Sequence, residues 1–194
     1  MSEYIPRLQE AIASSIRGMG REDLLRRPEG KWSTAEVLEH LYLTYTGTVK
    51  SCERSLGSER PPVTLQTPKQ RFKTLIVVTL GYFPRGIQAP ERVHPKGTPV
   101  EQVVSDIAKQ ISVMDELITR CELRYGKRNK LFNHPVLGAL TGTQWRKFHW
   151  IHGQHHVRQI LALRRKYARK SPRQYGGLIA CFVLLHACFA LLLL

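Results

Sequence analysis

Apolar residues recur three and four positions apart over most of this chain, the period of helices buried along one face. Tyr4, Ile5, Leu8, Ile12 and Ile16 set the first stripe, in residues 2–18. Pro28 to Lys31 breaks it. Ser33 and Glu36 then form an S-x-x-E capping box, in which each side chain closes on the other residue's backbone N–H. A second helix is predicted from Ser33 to about Leu56, with Val37, Leu41 and Thr44 or Tyr45 on its stripe. Gly57 stops it, and Pro61 with Pro62 marks a loop. Thr67-Pro68-Lys69-Gln70 repeats the box with proline at the first helical position and opens a short helix to about Tyr82. The β-branched run from Leu75 to Leu80 leaves a strand as the alternative there. After a loop holding Pro84, Pro90, Pro95 and Gly97, Thr98-Pro99-Val100-Glu101 starts a third long helix. It runs to about Arg124, striped by Val100, Val103, Val104, Ile107, Ile111, Met114, Leu117 and Ile118. Thr141 or Thr143 caps the last helix, which continues to about Lys170. With no internal repeat and no strong strand pattern, the expectation is an all-α helical bundle with an extra short helix.

Charge changes this picture at one end. The 194 residues carry 30 Lys and Arg against 15 Asp and Glu, a net +15. The last acid is Glu122, so 13 of the basic residues and no acid fall in residues 123–194. A solvated basic face is one reading of that block; an anionic partner, nucleic acid or anionic lipid, is the other. The end of the chain favours lipid. Residues 176–194 hold no formal charge, and those 19 residues span about 28 Å as a helix, close to a bilayer's hydrocarbon core. Arg164, Arg165, Lys166, Arg169, Lys170 and Arg173 precede them, as expected on the cytoplasmic side. This predicts a cytosolic domain over residues 1–170, large enough to bury a core, and a basic linker with a hydrophobic transmembrane anchor over 171–194. The alternatives are a tail that packs on the bundle, drives oligomerisation or has no function. Nucleic acid ranks lowest, because only Tyr167 and Tyr175 accompany the basic run. The polar start, with Glu3, Arg7 and Glu10, predicts no signal peptide.

The candidate chemistry lies in the histidines. His152 and His156 stand four apart in the proline-free stretch from Trp145 to Ile160. Residues so spaced share a helix face, and two such imidazoles can grip one metal ion. The glutamate that follows the first His in metalloproteases is missing, because Gly153 stands there. A third ligand has to come from elsewhere. His40 is the candidate, since it falls on the inward stripe of the capped second helix, where an imidazole needs a partner. His155 sits about 100° further round the helix. It is expected to line the pocket or hydrogen-bond rather than ligate. His149 shares the broad face of His152 and His156 and is the substitute ligand. Gln159 is placed for a hydrogen bond to a ligand imidazole. His94 and His134 precede prolines and read as structural, and Trp32, Trp145 and Trp150 as packing residues. Of the two acids before His40, Glu36 and Glu39, Glu39 is expected to face solvent. Cys52 and Cys121 are isolated on predicted helices and Cys181 and Cys188 lie in the apolar tail, so reduced thiols without a redox motif are expected.

Three segments carry a resemblance. They are Lys31-Trp32-Ser33 with Val37-Leu38-Glu39-His40-Leu41, then His134-Pro135-Val136-Leu137-Gly138-Ala139-Leu140, and the block from Trp145 to Ile160. Together they resemble the DinB-like superfamily of metal-binding four-helix bundles, over residues 1–168. The resemblance implies a divalent metal, commonly zinc or nickel, held by His40, His152 and His156. For some relatives it also implies a transferase or isomerase that uses a low-molecular-weight thiol.

Three neutral ligands leave a divalent ion its full charge and an open position, where a thiol or water is acidified. The expected function is therefore metal- and thiol-dependent S-transfer onto a small electrophile. The alternatives are a metal-dependent hydrolase, for which no general base stands out, and a non-catalytic membrane-tethered metal-binding module. A homodimer paired through an exposed helix face is compatible with such a bundle.

Overall fold

The computed structural model describes residues 3–168 except 85 and 87. Among the described residues, 3–163 form one compact unit and 164–168 fall in a second. The fold is mostly helical, with one small sheet. In chain order the elements are α1 (Tyr4–Ile16), α2 (Arg21–Leu25), α3 (Thr34–Leu56), α4 (Pro68–Thr74), α5 (Val100–Tyr125), β1 (Lys130–His134), β2 (Gly138–Thr141) and α6 (Gly142–Ala168). The end of the last helix near Lys170 and the apolar segment 176–194, with its expected membrane span, lie outside the described residues. Among the described residues no helix is long and apolar enough to cross a membrane.

Local sequence accounts for the helix ends. Ser33 and Glu36 close a reciprocal capping box on α3, and Thr67 with Gln70 closes another on α4. Thr141 and Gln144 do the same for α6: the Gln144 N–H donates to Thr141 Oγ1 at 3.2 Å and the Thr141 N–H to Gln144 Oε1 at 3.0 Å. Thr141, not Thr143, is thus the cap. Thr98 does not cap α5. Its hydroxyl and N–H both donate to Glu39 of α3, and Pro99 precedes the first turn instead.

Four helices supply one apolar core: Leu8 and Ile12 from α1, Leu38 and Leu41 from α3, Ile111 and Met114 from α5, Phe148 and Ile160 from α6. The α5 stripe is buried as predicted except at Val104, which is 37% exposed. Cys52 and Cys121, expected apart, meet in this core as free thiols, with Cys121 Sγ 3.7 Å from the Cys52 carbonyl oxygen. Arg146 ties α6 to α5 through Asp115, Thr119 and Glu122; its bond to the buried Glu122 carboxylate is 2.8 Å. A buried pair of this kind is destabilising if either partner is removed alone.

Two departures from the expected pattern shape the site. Leu75 to Thr79 is not a strand: α4 passes without a break into a π-helical turn, so the short helix ends at Thr79, near the expected Tyr82, but with a changed pitch. The wider turn buries Val77 and Val78 while leaving Leu75 and Leu80 outside. The second departure is the β-hairpin. Phe132 pairs with Leu140, Asn133 with Ala139 and His134 with Gly138 in antiparallel register. Its strands have five and four residues, too short for alternation to emerge from the sequence. Gly138, at φ 75°, closes its turn in the left-handed region, and a Cβ there would meet the Gln66 and Gln70 side chains.

Candidate metal centre

α3 and α6 bring three buried imidazoles together. His40, His152 and His156 each offer a ring nitrogen within 4.8 Å of the others. His152 Nε2 lies 3.3 Å from His40 Nε2 and 3.1 Å from His156 Nε2. Two nitrogens each about 2.0–2.1 Å from a tetrahedral zinc would stand about 3.3 Å apart, so the spacing matches that of ligands on one ion.

Hydrogen bonding on the far side of each ring sets the tautomers. His40 Nδ1 faces the Val93 carbonyl oxygen at 2.9 Å. A carbonyl only accepts, so Nδ1 carries the proton and Nε2 presents a lone pair. His156 Nδ1 donates to Gln159 Oε1 at 2.7 Å, which leaves its Nε2 bare as well. Gln159 in turn donates from Nε2 to His155 at 3.2 Å. His152 Nδ1 is buried without a hydrogen-bond partner among the described residues. Two lone pairs therefore aim at one His152 nitrogen, which can satisfy at most one of them with a proton. A cation at the centre satisfies all three, so the donor set fits a divalent metal.

Burial keeps these rings uncharged. It pushes His156 down to about 3, helped by His40, against the pull of Gln159. It holds His152 well below the usual imidazole value, with His156 and His40 adding to the effect. His40 is lowered by burial too, opposed by its bond to Val93. Neutral imidazoles are the form that ligates.

A buried carboxylate holds the support of His40. Glu39, expected to face solvent, is 3% exposed. It accepts four hydrogen bonds, from the N–H groups of Lys96, Gly97 and Thr98 and from the Thr98 hydroxyl at 2.6 Å. Burial opposes its charge, but these bonds outweigh that penalty and hold its carboxyl below the usual range. The latch fixes the segment that carries the 3₁₀ turn Glu91–Val93, and so the carbonyl that orients His40. Glu36 is committed to the α3 cap and to Arg27.

Gly153 has a packing reason. A Cβ there would run into Cδ1 of the fully buried Leu8 on α1, and Tyr45 Oη would be 3.5 Å away. Close approach of α1 to α6 beside His152 thus excludes any side chain at the position where metalloproteases carry their glutamate.

The other histidines divide. His149 turns from the cluster into the core, 3.1 Å from Thr48 Oγ1 and stacked on Trp145. It is not a member of the cluster, despite sharing the broad helix face. His155 lines the cavity above the three rings, beside Phe83. His94 and His134, read as structural, line it too. That cavity has a volume of about 640 Å³, within the range of small-molecule sites. Trp32, Val77, Phe83 and Phe148 form apolar walls, with Trp32 5.2 Å from the His40 ring and Phe148 stacked on His152.

The profile of a family described as "Protein of unknown function (DUF1569)" matches residues 4–162. The chain belongs to that family. The matched range contains α1 through most of α6 and all three clustered histidines. No curated protein and no solved structure matches the chain.

Proposed function

We propose that this member of the DUF1569 family is a DinB-like four-helix bundle that holds a zinc or nickel ion on His40, His152 and His156. With a low-molecular-weight thiol it transfers sulfur to a small electrophile. The observation that carries the reading is the meeting of three buried, uncharged Nε2 atoms at the floor of a cavity, two of them with tautomers set by Val93 and Gln159. A divalent ion there supplies Lewis acidity toward an incoming sulfur. The chain's own residues orient the ligands, through Val93, Glu39 and Gln159, and exclude bulk water with Trp32, Phe83 and Phe148. In the transfer, sulfur bonds to the electrophilic carbon, the leaving group departs with its electron pair, and the thiol proton goes to water. Anchoring of this bundle through residues 176–194 remains part of the proposal, tested by membrane fractionation with and without residues 171–194.

The test of activity is S-conjugation of a low-molecular-weight thiol to 1-chloro-2,4-dinitrobenzene by the metal-loaded chain. Acceleration that disappears in His152→Ala/His156→Ala supports transfer. Metal retained with no acceleration for any thiol tried leaves the non-catalytic metal-binding module in its place.

A further inference from the structure

The walls of the cavity over the three histidines carry no acid. Its lining includes no Asp or Glu, yet it holds Arg92 as well as the histidines. Of the acids beside lining residues in sequence, Glu39 is committed to the 96–98 backbone, and Glu29 and Glu91, next to Gly30 and Arg92, are exposed and outside the lining. Arg92 is exposed on the 3₁₀ turn and forms no ion pair among the described residues. Every other charge the cavity would contain is thus positive or absent.

A second ring, that of His134, lines the same cavity. His134 Nδ1 accepts the N–H groups of both Val136 and Leu137 at 3.1 Å in the hairpin turn. An Nδ1 that accepts twice forces the ring proton onto Nε2 in the neutral tautomer. The ring packs against Phe148, with centroids 4.5 Å apart, which holds it at the cavity wall. Arg92 and His134 both line this cavity.

We propose that the substrate of this site is a small organic anion, with a carboxylate received by Arg92 and the Nε2–H of His134 and an apolar body laid between Trp32 and Phe83. The inference rests on the metal-centre reading for the place of the reacting sulfur, but its charge preference is assigned to Arg92 and is read separately on the metal-free chain. Guanidinium and carboxylate match as a two-pronged, charge-assisted pair. A cationic cavity without acids also draws anions toward it.

The test compares 3-mercaptopropionate with its neutral analogue 3-mercaptopropan-1-ol, titrated calorimetrically into the full chain, both zinc-loaded and metal-free. The expected result is about tenfold tighter binding of the carboxylate, lost in Arg92→Met and kept in part in Arg92→Lys. Zinc content is read on the same samples and is expected not to change in either variant. Equal affinity for the two probes, or a preference untouched by Arg92→Met, overturns the anion proposal even where zinc is bound. Absence of bound zinc overturns the metal reading, while the Arg92-dependent preference is still read on the metal-free chain.

Discussion

His149 shows how an imidazole on the expected face can have another role. It is fully buried, and burial pushes it down to about 3, with His134 adding to the effect. Below about pH 6.5 the unfolded chain takes up a proton that folded His149 refuses. Stability from this residue is therefore present above that pH and lost as pH falls toward 3. Urea unfolding at pH 7 and 4.5 measures it. His149→Phe should shrink the loss between the two by about 2–3 kcal/mol; an equal loss in both proteins contradicts the assignment. Glu39 makes a second test. An amide in its place sets a donor against donors, so Glu39→Gln should loosen the Val93 carbonyl and weaken zinc binding by about tenfold. Competition with a chromogenic chelator reads this, and unchanged affinity would separate the latch from His40. The sequence showed His40, His152 and His156 through helical spacing, and Gln159 as a neighbour. It hid Glu39, because an acid between Leu38 and His40 reads as solvated until the 96–98 backbone is seen to wrap it. Arg92 and His134, which line the cavity, were equally hidden, since a 3₁₀ turn and a strand end come to it by long-range closure rather than by periodicity.

The elements tell the same story one level up. Helices α1, α3, α5 and α6 were legible because each is long and striped and, for α3, marked by a capping box. The hairpin was not, since its nine strand residues give no period and its pairing is fixed by the Gly138 turn. The helix over Leu75 to Thr79 was legible from the Thr67 capping box; its π pitch was not, because no residue pattern distinguishes that wider turn. Helix packing also explains Gly153. Alanine at an exposed helical site is favoured over glycine by about 1 kcal/mol. Here the collision with Leu8 opposes it, and overpacking costs about 1–3 kcal/mol. Gly153→Ala should thus lower the thermal midpoint in the native background. In a Leu8→Ala background, where room exists, the same change should raise the midpoint or leave it unchanged. Stabilisation by Gly153→Ala alone would show that α1 and α6 are not held at this distance.

For the whole molecule, a basic chain places an uncharged histidine cluster at the floor of an acid-free cavity, with α3 supplying one ligand candidate and α6 the other two. The sequence distance between them, His40 to His152, means that the centre exists only when the fold brings α3 and α6 together. Metal should therefore stabilise the folded chain, because it binds the native state and not the dispersed ligands. The most direct measurement is metal content by mass spectrometry on the full chain after loading with zinc or nickel, beside His152→Ala/His156→Ala checked for helicity by circular dichroism. The account predicts about one ion per native chain and almost none in the folded double variant. A folded native chain that retains neither metal would contradict it.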